Sequence, residues 1–132
     1  DVPRLTSTFN TAAEDASCRA ILSYATGRWV RTVLDHYDLR GQFDEQHIVT
    51  AEDFEYLTKS ESELPIRSAL TRLGALPDRS RIYEDSKGAL RMAHHIGIAE
   101  RIFIHGGEPL KPQPEYMTAQ YATLSEARLA LK

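Results

Sequence analysis

A chain of 132 residues, 42% hydrophobic and 27% charged, is long enough to bury one ordinary core and has the composition of a folded domain. Its net charge of -3 excludes a general polyanion binder, and a single Cys18 excludes an intrachain disulfide, which suits a reducing compartment. No apolar run approaches the roughly 20 residues that cross a bilayer.

In chain order, residues 1–9 are polar with an early Pro3 and predict an irregular arm. Asn10 or Thr11 then caps a helix, with Glu14 and Asp15 near its start. Ile21, Leu22, Ala25, Trp29, Val33 and Tyr37 recur in steps that give one helical face, kinked at Gly27. Cys18 lies in that pattern as a small buried hydrophobe. Residues 38–46 are charged, contain Gly41 and read as a loop. Thr50-Ala51-Glu52-Asp53 resembles a capping box ahead of a short helix carrying Phe54 and Leu57. After a polar break at 59–63, Pro65 fits the first turn of a helix with Ile66, Ala69, Leu70 and Leu73 as its stripe and Gly74 as its stop.

Pro77-Asp78 opens the next predicted helix, with Ile82, Ala89, Ala93 and Ile96 on one side. Gly88 within it costs ~1 kcal/mol relative to Ala, and so points to close packing or a bend. Arg101-Ile102-Phe103-Ile104-His105 has strand character but no partner strand in this scheme, and is taken as a continued or short helix. Residues 106–114 hold two Gly and three Pro and predict an extended linker. Residues 115–131 return to helix, with Tyr116, Ala119, Tyr121, Leu124 and Ala127 available for burial. The expected fold is all-α, a single irregular helical domain spanning 1–132 with four to five helices. Its core includes Trp29, Leu70, Leu73 and Ile82.

Chemistry-bearing residues are sparse under this reading. His94 and His95 are adjacent, so on a helix they point about 100° apart and do not share a metal. Glu52, Asp53 and Glu55 fall where a helix N-terminus favours acids in any case. No nucleophile–base context, P-loop or dinucleotide fingerprint is present. The expectation is no catalytic residue, no metal and no cofactor. Arg67, Arg72, Arg79, Arg81, Arg91 and Arg101, interleaved with Glu84 and Asp85, form a series too sparse for nucleic acid, and read either as an ordinary solvated helical face or as a protein or lipid-headgroup contact.

Three short runs carry a family resemblance: Ser68-Ala69-Leu70-Thr71-Arg72-Leu73, Arg81-Ile82-Tyr83, and His94-His95-Ile96. With Asp53 in the segment 48–57 and the acidic entry Glu63-Leu64-Pro65, they resemble subunit 7 of the cytochrome bc1 complex, the ubiquinol–cytochrome c reductase binding-protein family. The resemblance is that of a divergent member, since Gly74 and Glu84-Asp85 depart from the family pattern. It implies a non-catalytic accessory subunit of respiratory complex III. Such a subunit would lie peripherally on the matrix side of the mitochondrial inner membrane, packed on cytochrome b and neighbouring subunits, with lipid headgroups as a further contact. The interface expected on that basis is Arg72, Arg79, Arg81, Tyr83, Arg91, His94 and His95, centred on a basic helix over 79–95. The alternatives are a helical adaptor of another mitochondrial assembly, such as the ribosome or ATP synthase, and a small His-based metal protein.

Overall fold

Ala20-Ile21-Leu22 places apolar residues at three consecutive positions, and all three are buried. A surface helix buries one stripe, whereas a strand covered on both faces buries every position. The second case holds for Ala20-Ile21-Leu22. The computed structural model describes residues 7–10 and 18–131. Within them the strands are β1 (Ser7–Asn10), β2 (Arg19–Leu22), β3 (Ile48–Val49), β4 (Arg81–Glu84), β5 (Glu100–Ile104) and β6 (Ala119–Tyr121). The helices are α1 (Gly27–His36), α2 (Leu64–Leu73), α3 (Lys87–Ile96) and α4 (Leu124–Ala130). The fold is therefore α/β, and the all-α expectation is corrected.

The sheet runs β3-β2-β1-β4-β5-β6. β2 pairs with β3 in parallel, and β4, β5 and β6 pair in parallel. β1 bridges the two groups and is antiparallel to both neighbours, with Ser7 opposite Leu22 and Thr8 opposite Tyr83. β2 to β6 thus all point the same way.

Side-chain alternation sorts the core onto two faces. Ala20, Leu22, Val49, Ile82 and Phe103 face α2 and α3, joined by Phe54, Ile66, Leu70, Leu90 and Ala93. Ile21 and Ile48 pack on Val30 and Leu34 of α1. Tyr83, Ile102 and Ile104 pack on Ala127 of α4. The result is a three-layer sandwich with helices on both sides of the sheet.

Several predicted elements change type for a common reason. Ile21 and Leu22 belong to β2, and the expected long helix begins only at Gly27. Trp29, predicted as core, is 52% exposed, because α1 buries the stripe Gly27, Val30 and Leu34 instead. The helix expected from Pro77 to Ile96 is divided into a 3-10 turn at Pro77–Arg79, the strand β4, and α3. Arg101-Ile102-Phe103-Ile104 is the strand β5, since β4 and β6 supply the partners the helical scheme lacked. Within 115–131, β6 precedes α4. Of the predicted arm, residues 1–6 lie outside the described residues, while residues 7–9 belong to β1. The proposed cap at Asn10 or Thr11 is not found at Asn10, which closes that strand, and Thr11 lies outside the described residues. Cys18 sits half-buried just before β2.

Local signals with a direct chemical cause keep their places. Thr50 and Asp53 form the capping box, over a 3-10 turn at Ala51–Phe54. Pro65 lies in the first turn of α2, and Gly74 ends it with φ of 63° in the left-handed region. Leu70 and Ile82 are buried, while Leu73 only borders the core. Among the described residues, no helix is long and apolar enough to cross a membrane.

Candidate functional site at the carboxyl edge of the sheet

The crossovers define where a site can form. From β2 the chain leaves through α1 to β3 on one side, and from β4 it leaves through α3 to β5 on the other. The carboxyl ends of β2 and β4 therefore flank the point at which the winding reverses direction. In open α/β sheets this crevice is the usual ligand position. The strand order is that of doubly wound sheets, with β1 reversed.

A lysine spans this edge. Lys59 lies in the loop before α2, and its ammonium donates to Glu84 Oε2 at 2.7 Å and to the Leu22 carbonyl at 3.5 Å. It thereby ties the end of β4 to the end of β2. Glu84 is buried, with 2% of its side chain exposed, and Lys59 keeps 13%. The other Glu84 oxygen accepts the backbone N–H groups of Asp85 and Ser86. Ser86 then caps α3 by accepting the Ala89 N–H. Ser23, directly after β2, is buried at the same edge; its hydroxyl accepts the Ala25 N–H, and its own N–H donates to the Val49 carbonyl.

Asp85 completes the group. It reaches solvent, yet the surrounding protein strips enough water from its carboxyl, with Glu84 adding a hydrogen bond and like charge, to push its pKa up to about 6. Lys59 opposes this shift and is outweighed. A carboxyl of this kind changes charge near neutrality.

Gly88 explains how the loop comes so close. A Cβ on Gly88 would lie 2.6 Å from Ser60 Cβ, so the first turn of α3 touches the residue next to Lys59 only because position 88 has no side chain. The close packing expected at Gly88 is present, and what it packs against is the lysine loop.

The residues expected to form a partner interface are dispersed. Arg81 and Tyr83 lie on the α4 side of the sheet. Arg81 pairs with Glu100 at 2.8 Å and donates to the Tyr83 hydroxyl at 3.1 Å, while the Tyr83 ring is buried. Arg72 on α2 pairs with Asp53 at 2.9 Å. Burial alone would raise the Asp53 pKa; the Thr50 N–H and Arg72 override it and lower the value. Arg91 lies over the Tyr116 ring at 4.9 Å. His94 and His95 are exposed in the last turn of α3, and Arg79 is exposed in its 3-10 turn. Arg81 with Tyr83 and Arg72 with Asp53 thus hold parts of the fold on opposite faces of the sheet, and the seven do not make one surface. Of the weighed acids, Glu52 binds the Gly27 N–H through both oxygens at 3.0 Å and so pins the start of α1. No group of three or more metal-type side chains occurs among the described residues.

Lys59, Glu84 and Asp85 escaped the sequence reading as a site. Lys59 sits in a polar break, and Glu84-Asp85 in a segment read as helix. The available signal was Ile82-Tyr83-Glu84-Asp85-Ser86, an apolar pair running into acids and then a helix cap, which marks the end of a buried strand.

Fold and edge together define an open α/β domain with an acid–lysine cluster at its switch point. Neither a protein-family model, nor a curated protein, nor a solved structure matches this chain.

Proposed function

We propose that this domain binds a phosphorylated small molecule, together with a divalent cation, at the carboxyl ends of β2 and β4. The supporting observation is Lys59 fixed across the winding reversal by its 2.7 Å contact to the buried Glu84. In this reading Lys59 supplies positive charge to the phosphate. Glu84 is a positioning residue that aims the lysine.

Charge balance supplies the case for a cation. Asp85 is ionised above about pH 6 and stands beside the Glu84 carboxyl, so a bare phosphate approaching Asp85 would meet like charge. Mg2+ binds through one or two carboxylates together with substrate phosphates and keeps several waters. Asp85 is the carboxylate placed to share such an ion with the ligand. An electrophilic cation and a fixed lysine are also parts that metal-assisted phosphoryl chemistry uses.

The test is calorimetric titration of methyl phosphate into the protein with and without Mg2+. Binding is expected only with Mg2+, and it should weaken in Lys59→Met and in Asp85→Asn while circular dichroism retains the α/β signature. Equal binding without Mg2+, or unchanged affinity in both folded variants, would overturn the assignment. The accessory-subunit role keeps only its short sequence motifs as support, and the metal-protein alternative only its exposed His94 and His95. The basic helix meant to carry the contact is a 3-10 turn, a strand and a separate helix, with Arg81 engaged by Glu100.

A further inference from the structure

The strand beside β4 brings a histidine to the same edge of the sheet. β5 pairs with β4 in a register that sets Phe103 opposite Glu84. Both side chains fall on the α2 and α3 face: Phe103 packs in that core, and Glu84 comes two residues after Ile82, which packs there as well. His105 is the next residue after Phe103 on this face, and the two rings lie 6.2 Å apart between centroids. Two residues along a strand and one strand spacing across put the His105 Cα about 8 Å from that of Glu84. Glu84 in turn holds the Lys59 ammonium at 2.7 Å.

The imidazole is fixed on one nitrogen and open on the other. The ladder to β6 runs on past the end of β5, with the His105 N–H donating to the Tyr121 carbonyl and the Gly106 N–H to the Ala122 carbonyl, each at 3.0 Å. Gly106 then takes a φ of 68°, a left-handed turn that a glycine adopts without strain, and the Gly107 N–H donates to His105 Nδ1 at 3.1 Å. With Nδ1 accepting, the neutral ring carries its proton on Nε2. Among the described residues nothing accepts from that Nε2–H, and the ring is half-buried. A Cβ on Gly106 or Gly107 would meet no atom within 4 Å, so the space beyond the ring is clear of protein. The loop that follows is held firmly: Gln120 of β6 accepts the Leu110 N–H at 2.8 Å and donates to the Leu110 carbonyl at 2.9 Å.

We infer that His105 is a specificity-determining residue whose Nε2–H donates to a hydroxyl on the organic part of the ligand, so that the site takes phosphate monoesters of polyols in preference to those of simple alcohols. This rests on the phosphate site proposed above. With the phosphate at Lys59 and Asp85, a short carbon chain has to cross only one strand spacing, about 4.8 Å, to reach the end of β5. An alkyl group there would cover the Nε2–H without pairing it, and a site that offers a donor rejects the analogue lacking its partner. A second anionic group would face the Glu84 and Asp85 carboxyls, which favours a neutral oxygen as the acceptor.

Glycerol 1-phosphate and propyl phosphate share a carbon skeleton and differ in their hydroxyls. Both are titrated calorimetrically in Mg2+, with methyl phosphate as the reference for the phosphate site. Glycerol 1-phosphate is expected to bind about tenfold more tightly than propyl phosphate. The ratio of the two affinities should fall to about one in His105→Ala. His105→Gln, whose amide nitrogen comes near the Nε2 position, should keep part of the preference. His105→Asn, which offers only an oxygen near Nδ1 to the Gly107 N–H, should lose it. In the parent protein the His105 imidazole nitrogen resonances should shift with glycerol 1-phosphate and stay in place with propyl phosphate, a readout that needs no variant to fold. Equal affinities for the two esters, with methyl phosphate still bound, would overturn the role of His105 and leave the phosphate site standing. A preference that survives His105→Ala, or that His105→Asn keeps and His105→Gln loses, would overturn that role as well, the second by assigning the ring to the Gly107 contact alone. Binding of none of these phosphates would overturn both proposals.

Discussion

Lys59 and Glu84 illustrate why a buried ion pair is a sensitive point. Taking away Lys59 leaves a carboxylate with 2% exposure without its nearest counter-charge, while two backbone N–H groups still support it. Lys59→Ala should cost about 3 kcal/mol by urea denaturation, and Lys59→Ala with Glu84→Gln should recover part of that loss. An additive double variant would show that the two side chains stabilise the fold independently. Asp85 makes a second prediction, with a defined sign. Its folded pKa, about 6, lies above the ordinary 3.8, so the native state holds a proton that the unfolded chain has released. Its contribution to stability is therefore greatest below 3.8 and declines as pH rises to about 6. Asp85→Asn removes that decline. The difference in denaturation midpoint between Asp85→Asn and the parent should grow in favour of the variant across this interval. A constant difference would mean that Asp85 titrates as an ordinary surface acid.

Elements here are placed by single contacts as much as by propensity. In an ordinary helix interior, Gly88→Ala would gain ~1 kcal/mol. At this position the new methyl meets Ser60 Cβ at 2.6 Å, so α3 or the lysine loop must move. Gly88→Ala is expected to lower the melting temperature and weaken phosphate binding, and Ser60→Gly in the same chain should restore both. A stabilised Gly88→Ala variant would show that the loop yields freely. The 79–95 segment shows the limits of element prediction. Its apolar spacing satisfies a helical stripe, yet Ile82 and Tyr83 are both buried, on opposite faces of the sheet. Adjacent buried residues on opposite faces are a strand property, and four residues are too short a run for periodicity to separate the two cases.

At the scale of the molecule, cover on both faces of the sheet decides which apolar residues matter for stability. Leu90, fully buried between α3 and the sheet, should lose ~2–5 kcal/mol on truncation to Ala. Trp29→Ala should stay within about 0.5 kcal/mol of the parent, because its ring does not lie in the core. Thermal denaturation of the two variants side by side checks this, and a larger loss at Trp29 would return it to the core. The sequence by itself determined the features whose chemistry is local. These are the capping box at Thr50 and Asp53, the entry at Pro65 and the stop at Gly74. Each depends on hydrogen bonds or φ preferences within a few residues. Only the tertiary structure decided that 19–22, 81–84 and 100–104 are strands, since a parallel strand is stabilised by partners far away in the chain. The candidate site followed the same rule. Lys59 and Glu84 are separated by 25 residues and gain meaning only when a crossover brings the ends of β2 and β4 to one edge.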